Sequence, residues 1–326
     1  MQTIKKLILS AAIPLTLCSF AVSAQVASYP TKPVMLVVPL AAGGPVDTEM
    51  HLYTPKMREL LGQSFIVDYK LGAAGTIAGA YVAKAAPDGY TLLVVNGAFS
   101  TFPALYKDLS FDVIKDFAPV SLASKRGQLL LVSPTFPAKN YVEYIAYAKA
   151  NPGKINLGTT GAGSGTHLSG AWLHSATNTK ATFVHYKGTG PLLPDLMAGR
   201  LDVTVAALPP ALPLIRSGKL RALAMMGDRR TPFLPDLATV AEQGVPGYDY
   251  SGYTGFFAPA ATPVAIVNKL SDAFVRMVRL PEVTARLEAD GNVVIGSTPA
   301  QFHQLLVSEA DRWRKVVADA GIKLEE

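Results

Sequence analysis

Val34-Met35-Leu36-Val37-Val38-Pro39-Leu40-Ala41-Ala42-Gly43-Gly44-Pro45-Val46-Asp47 reads as a strand, a turn and the entrance to a helix. The opening run is apolar at every position, the pattern of a strand covered by helices on both faces. Gly43 and Gly44 let backbone approach a ligand closely, and Pro45 suits a first helical turn. Asp47 is placed to cap amides two or three residues further on, leaving the glycine N–H groups for a carboxylate oxygen. A helix start adds partial positive charge at that point, so the local chemistry is that of an anion cradle.

The same arrangement of apolar run and glycine-rich turn recurs at Leu71 to Gly79, Gly158 to Gly165 and Gly188 to Gly190. Further strands are expected at Phe65 to Asp68, Leu92 to Val95, Leu129 to Val132, Ile155 to Leu157, Thr182 to Val184, Val203 to Ala206 and Leu220 to Met225. Helices are expected at Asp47 to Leu61, Thr76 to Ala86 and Leu168 to Ala176. Two later helices carry apolar stripes, Val267, Leu270, Phe274 and Val278 on one, and Phe302, Leu306, Trp313 and Val317 on the other, with Pro299 in the first turn of the second. Strands alternating with helices, and apolar on both faces, indicate an α/β fold with parallel sheets. The stripes are core faces and carry no ligand role.

Residues 1–24 read as an export signal: Lys5 and Lys6, an apolar stretch from Leu7 to Val22, and small residues at Val22-Ser23-Ala24 before Gln25. Ser10, Pro14, Thr16 and Ser19 interrupt the stretch, which is shorter than the ~20 residues of a spanning helix. Cleavage after Ala24 removes Cys18, the one cysteine, so the exported protein has no disulfide to rely on. A mature chain of ~300 residues can bury two sizeable cores without one, and the expected compartment is the periplasm. Losing Lys5 and Lys6 lowers the formal charge from +6 to +4. The densest basic cluster, Arg229-Arg230 with Arg221, lacks interleaved aromatics, which argues against a nucleic-acid partner.

The turns carry no chemistry of their own. Gly158-Thr159-Thr160-Gly161-Ala162-Gly163-Ser164-Gly165-Thr166-His167 has neither dinucleotide nor nucleophile-elbow spacing, so no cofactor is expected. His51, His167, His174, His185 and His303 show no ligand spacing, so no metal is expected either. Ser164 and His167 are the only pair that a secreted serine hydrolase could use, and no acidic residue adjoins them to orient the base. Binding without catalysis is the leading reading.

Several motifs in order carry a resemblance to a known family. They are Val37-Val38-Pro39 with the double-glycine turn and Asp47; Gly72-Ala73-Ala74-Gly75-Thr76-Ile77-Ala78-Gly79 leading to Ala86-Pro87-Asp88-Gly89-Tyr90; His185-Tyr186-Lys187-Gly188-Thr189-Gly190; Gly199-Arg200-Leu201-Asp202; and Gly255-Phe256-Phe257-Ala258-Pro259. Across nearly the whole mature chain the sequence resembles the tripartite tricarboxylate transporter substrate-binding proteins, also called the Bug family of periplasmic receptors. That resemblance implies a two-lobed, type II periplasmic binding fold, each lobe a sheet flanked by helices, with a ligand cleft between them. It implies residues 25–128 and 254–326 in lobe 1 and 129–253 in lobe 2. The partners implied are a small organic acid and the subunits of a membrane permease; a sensor role toward a membrane kinase would require the same closed form.

Carried onto this chain, the resemblance makes Ala42, Gly43, Gly44 and Asp47 one jaw of the cleft. Thr160, Gly161, Gly163, Ser164, Thr166 and His167 form the opposing jaw. Asn96, Gly97, Ala98 and Phe99 line the cleft from lobe 1, and Tyr186, Lys187, Gly188 and Thr189 border it from lobe 2. Lys187 fits a structural contact and a ligand salt bridge equally. Ala206, Leu208, Pro209 and Tyr253 shape the far end. The chain departs from the family's pattern at Ala41-Ala42 and Pro45-Val46, where a proline and small polar residues are more usual, and at Tyr253, where tryptophan is frequent. These departures favour an aromatic or otherwise bulky carboxylate over citrate or an amino acid, with a ring packing on Pro45, Phe99 and Tyr253. For the receptor as a whole, an aromatic acid or a dicarboxylate is the expected ligand.

Overall fold

The computed structural model describes residues 28–322; the export signal expected at 1–24 lies outside the described residues. The strands are β1 (Val34–Val38), β2 (Phe65–Tyr69), β3 (Thr91–Val95), β4 (Phe117–Arg126), β5 (Gln128–Val132), β6 (Ile155–Thr159), β7 (Ala181–His185), β8 (Val203–Ala207), β9 (Arg221–Met225), β10 (Gly252–Pro259) and β11 (Asn292–Val294). The helices are α1 (Pro45–Leu61), α2 (Thr76–Ala83), α3 (Phe102–Leu105), α4 (Tyr141–Ala150), α5 (Gly165–Ala176), α6 (Thr189–Met197), α7 (Leu208–Arg216), α8 (Val264–Val278), α9 (Pro281–Ala289) and α10 (Pro299–Asp319).

Two sheets result, in the orders β11-β4-β10-β3-β1-β2 and β7-β6-β8-β5-β9. Every strand expected from the sequence is present, but the sheets are mixed rather than parallel. β10 runs antiparallel to β3 and β4, and β5 runs antiparallel to β8 and β9. The unexpected strands are β4, β10 and β11. β4 and β10 escape a search for apolar runs because they bury polar residues: Ser121, Ser124 and Thr254 are fully buried. The Ser121 hydroxyl donates to the Ser297 carbonyl at 2.9 Å, which removes the penalty of burying it. β2 is a further correction, since Ile66 is 44% exposed on an edge strand rather than covered on both faces.

Helices cover both faces of each sheet. In lobe 1, α1, α8 and α9 bury Leu36, Met50, Tyr53, Phe256 and Phe274 on one face, while α2, α3 and α10 bury Phe99, Phe111, Phe117, Phe257 and Phe302 on the other. Lobe 2 places α4 and α5 on one face and α6 and α7 on the other. The late stripes lie in the lobe 1 cores apart from Trp313, which is buried in a separate cluster with Leu168 and Val316, and Val317, which is half-buried.

The chain passes from the first sheet to the second between β4 and β5, with Gly127 alone between them, and returns from β9 to β10. A second joint forms where α10 leans on lobe 2. The Trp313 ring meets Trp172 edge-on at 5.8 Å and Tyr250 at 6.1 Å, over a buried Leu168. Among the described residues no helix is long and apolar enough to cross a membrane.

Candidate functional site

Strand order decides where a ligand can sit. β1 lies between β3 and β2, and β6 between β8 and β7, so each is the strand at which the chain reverses its direction of travel across the sheet. In open α/β sheets the crevice beyond the carboxyl end of that strand is the ligand position. Both ends border the crossings. Val95, closing β3, pairs with Gly255 of β10, and Ala207, closing β8, pairs with Gln128 at the start of β5. The turns after β1 and β6 are those that the sequence singles out.

The first turn is held by Asp47 in a way the sequence does not reveal. Its carboxylate reaches back, not forward: Gly43 N–H donates to Asp47 Oδ2 at 2.8 Å, and the Tyr69 hydroxyl donates to Oδ1. The Gly43 amide is therefore occupied, and the expectation that it stays available is corrected. These two bonds, the Gly43 one first, hold the Asp47 carboxyl below its ordinary range although burial opposes them. Gly43 sits at φ +85, which favours glycine. Gly44 is the N-cap of α1, and no side chain caps that helix. Pro45 has no N–H, so the donors of the first turn are Val46 and Asp47. Ala42 and Pro45 are exposed beside them.

α1 is anchored by a network absent from the sequence reading. Glu49 and Arg126, both buried, pair at 2.8 Å. Glu49 Oε2 also accepts from the hydroxyls of Tyr53 at 2.8 Å and Ser124 at 2.7 Å, and Arg126 Nη2 donates to the Thr254 hydroxyl. The helix that starts at the first jaw is thereby tied to β4 and β10. Glu49 and Tyr53 are four apart on one helix face, which is legible; their partners on distant strands are not.

The second turn is knitted to itself. Thr160 N–H donates to Thr166 Oγ1 at 2.9 Å, Ser164 N–H to the Gly161 carbonyl at 3.2 Å, and Gly163 N–H to His167 Nδ1 at 3.0 Å. Ser164 caps α5 by accepting from His167 N–H at 3.3 Å. The His167 ring lies edge-on to Phe183 at 4.7 Å and His185 at 4.8 Å. Since Nδ1 accepts, the neutral ring carries its proton on Nε2. The hydrolase pairing does not form: Ser164 Oγ bonds the His167 backbone, and Nδ1 is taken by Gly163.

The third turn, after β7, leads to α6 with Gly188 as N-cap at φ +101 and no side-chain cap. Thr189 and Gly190 supply the next amides. Tyr186 is turned to its own lobe, its hydroxyl donating to Asp195 at 2.6 Å, and Asp195 also holds Arg200. Lys187 is exposed. In lobe 1, Asn96 Oδ1 accepts from Ala98 N–H at 3.2 Å to shape the turn after β3. A side chain at Gly97 would reach the Tyr253 ring, 3.6 Å from its Cβ position.

Four expected lining residues are core residues. Phe99 is buried among Phe102, Phe111, Phe117 and Phe257, and Tyr253 is buried edge-on to Phe302. Ala206 and Leu208 are buried too, Leu208 lying beneath Gly291 of lobe 1, while Pro209 is half-buried. The aromatic wall for a ligand ring is therefore corrected. What Phe99 offers is an edge to a recess of about 60 Å³ with Pro39, Leu40, Val95 and Ala98. That is far below the ~150 Å³ of an apolar cavity that takes benzene. Among the described residues, no three His, Cys, Asp or Glu side chains gather as a metal site.

Burial holds two histidines neutral, and this predicts a pH dependence. Burial pushes His167 down to about 4, with His185 adding to it, and pushes His174 down to about 4. His174 is locked between the Tyr144 hydroxyl at 3.0 Å and Thr179 Oγ1 at 2.7 Å. The unfolded chain protonates these rings below pH ~6.5 and the folded chain does not, so U binds more protons and stability falls as pH drops from 6.5 to 4. Each ring accounts for a loss on the order of 2–3 kcal/mol, at ~1.4 kcal/mol per unit. Urea unfolding across that window should show the slope, and His174→Gln should remove about half of it, His167 keeping the rest; an unchanged slope in the variant would rule out His174 as a source.

A family model described as the tripartite tricarboxylate transporter family receptor matches residues 52–322. Protein BugT of Bordetella pertussis is 30% identical over 300 residues, 91% of this chain and 92% of that protein. A solved R. palustris protein with adipate is 35% identical at a TM-score of 0.79, covering 90% of this chain and 99% of that one. MatC from Rhodopseudomonas palustris with bound malate is 36% identical at a TM-score of 0.76, covering 89% of this chain and 100% of that one.

Proposed function

This chain belongs to the tripartite tricarboxylate transporter receptor family, and from that premise we propose that it captures a small aliphatic dicarboxylate by closure of its lobes and delivers it to a membrane permease. The observation that carries the reading is a pair of helix starts, α1 at Gly44 and α6 at Gly188, each without a side-chain cap and each following the carboxyl end of a parallel strand. Helix starts without caps leave backbone N–H groups for an anion, and the two come from opposite lobes. One carboxylate at each start suits a diacid better than a monoacid. The self-capped turn at Ser164 then serves as a rigid wall with hydroxyls on offer, and the small apolar recess takes methylene groups rather than a ring.

The relatives support that class: one holds adipate and another malate. Charge-assisted hydrogen bonds contribute ~1.5–3 kcal/mol each, so three or four reach the ~8 kcal/mol of micromolar affinity once ordering costs are offset by burial. Backbone amides need no side chain to be ordered on binding. Export to the periplasm places the receptor where such acids arrive.

A thermal-shift screen of the mature protein against succinate, malate, adipate, citrate and benzoate tests the reading. A ligand at 100 times its Kd adds about 2.7 kcal/mol, a rise of several degrees in Tm. The expected result is a selective rise with one or more of the aliphatic diacids. A rise with benzoate alone would replace the diacid by an aromatic acid, and no rise with any of the five would remove the carboxylate.

A further inference from the structure

On the other side of the crossing segments from the jaw turns lies a cavity of about 620 Å³, within the ~300–1,000 Å³ of small-molecule sites. Its position follows from strand order. The jaw turns follow β1 and β6, whereas this cavity is walled by β4 and the edge strand β11 of one sheet and by the segment after the edge strand β9 of the other. Lobe 1 contributes Ala289, Asn292, Val293 and Val294, and lobe 2 contributes Met225 and residues 227–233. No residue of the jaw turns lines it.

The walls pair an apolar interior with a cationic rim. Met225, Pro232, Phe233, Val293 and Val294 supply apolar surface, and Lys125, Arg229 and Arg230 supply charge against Asp228 and Glu288. Lys125 is held by Asp249 at 3.2 Å, but the ionic partners of Arg229 and Arg230 are exposed carboxylates, Asp228 at 3.2 Å and Glu242 at 3.1 Å, and Arg230 further donates to the Pro235 carbonyl at 3.3 Å. Exposed pairs of that kind are weak, so both guanidinium groups can turn to another anion. The wall also holds unused hydrogen-bonding capacity. Asn292 Oδ1 and Arg126 Nε are buried without partners, although the two residues face each other in the β11–β4 register.

We propose that this cavity is a second binding site, for a small amphipathic anion whose apolar body lies between Phe233, Met225 and Val293 and whose acidic group meets Arg229 and Arg230. Because its walls belong to both lobes, occupancy and lobe closure are linked, and each shifts the other's equilibrium by the same factor. The site regulates the receptor from the hinge without touching the cargo.

Fluorescence titration of the mature protein with 8-anilinonaphthalene-1-sulfonate, an aromatic body with one sulfonate, tests this. The expected result is one saturable site. Ala289→Trp, at an exposed position of α9, fills the mouth, and Arg229→Ala with Arg230→Ala removes the cations; each change weakens the probe by about tenfold or more. Gly44→Val, in the first jaw, leaves probe affinity within about twofold. Absent or non-saturable binding, affinity unchanged in both cavity variants, or probe binding lost in Gly44→Val would each overturn the proposal.

Discussion

Gly44→Val is expected to lower carboxylate affinity by about a hundredfold or more, ~2.8 kcal/mol, with the protein still folded. The position accepts a side chain: φ −85 and ψ 173 are extended backbone open to any residue. A Cβ there would meet nothing closer than the Ala41 carbonyl, at 3.7 Å. Replacing glycine at an N-cap by an aliphatic residue costs about 1 kcal/mol, a small part of the stability of a domain this size. The effect on binding is larger because two branched methyl groups stand where the ligand must approach the first-turn amides of α1. Isothermal titration with the acid that raises Tm most, alongside a melting curve, separates the two effects. Wild-type affinity in a folded variant would remove α1 from the site.

Arg126→Met should destabilise the protein by about 3–5 kcal/mol, because it strands the buried carboxylate of Glu49 with hydroxyl partners only. The wild-type pair draws α1, β4 and β10 together at 2.8 Å, so the loss falls where the jaw helix meets the crossing strands. Adding Glu49→Leu to Arg126→Met should restore much of the loss, since an apolar replacement of a buried pair is often neutral or better. Urea unfolding of the single and double variants measures both. A single variant within about 1 kcal/mol of wild type would mean that water or relaxation already solvates the pair.

The two effects differ in how far the sequence anticipates them. The jaw turn is local: an apolar run, two glycines and a proline lie within a short stretch, and each acts through backbone conformation that the residue itself imposes. The same holds for the turns after β6 and β7 and for the stripes of α8 and α10. Asp47 marks the limit of such reading. Its type and position signal a cap, but it turns backward to Gly43 with one oxygen while Tyr69, from a neighbouring strand, holds the other.

Phe99 and Tyr253 fail for a related reason. An aromatic beside a glycine turn reads equally as a ligand wall or as core, and only the packing of Phe102, Phe111, Phe257 and Phe302 around them decides. β4 and β10 bury serines and threonine that break the apolar pattern, yet they carry the passage between lobes. Their satisfaction depends on Glu49 for Ser124, Ser297 for Ser121 and Arg126 for Thr254, each far away in the chain.

An α/β chain with glycine turns suited to an anion is legible in residue order, because strand patterning and turn chemistry are properties of neighbouring residues. Which amides are occupied, which aromatics are core and how the lobes are joined emerge only on folding, because each of those depends on hydrogen-bond and packing partners brought together from distant parts of the chain.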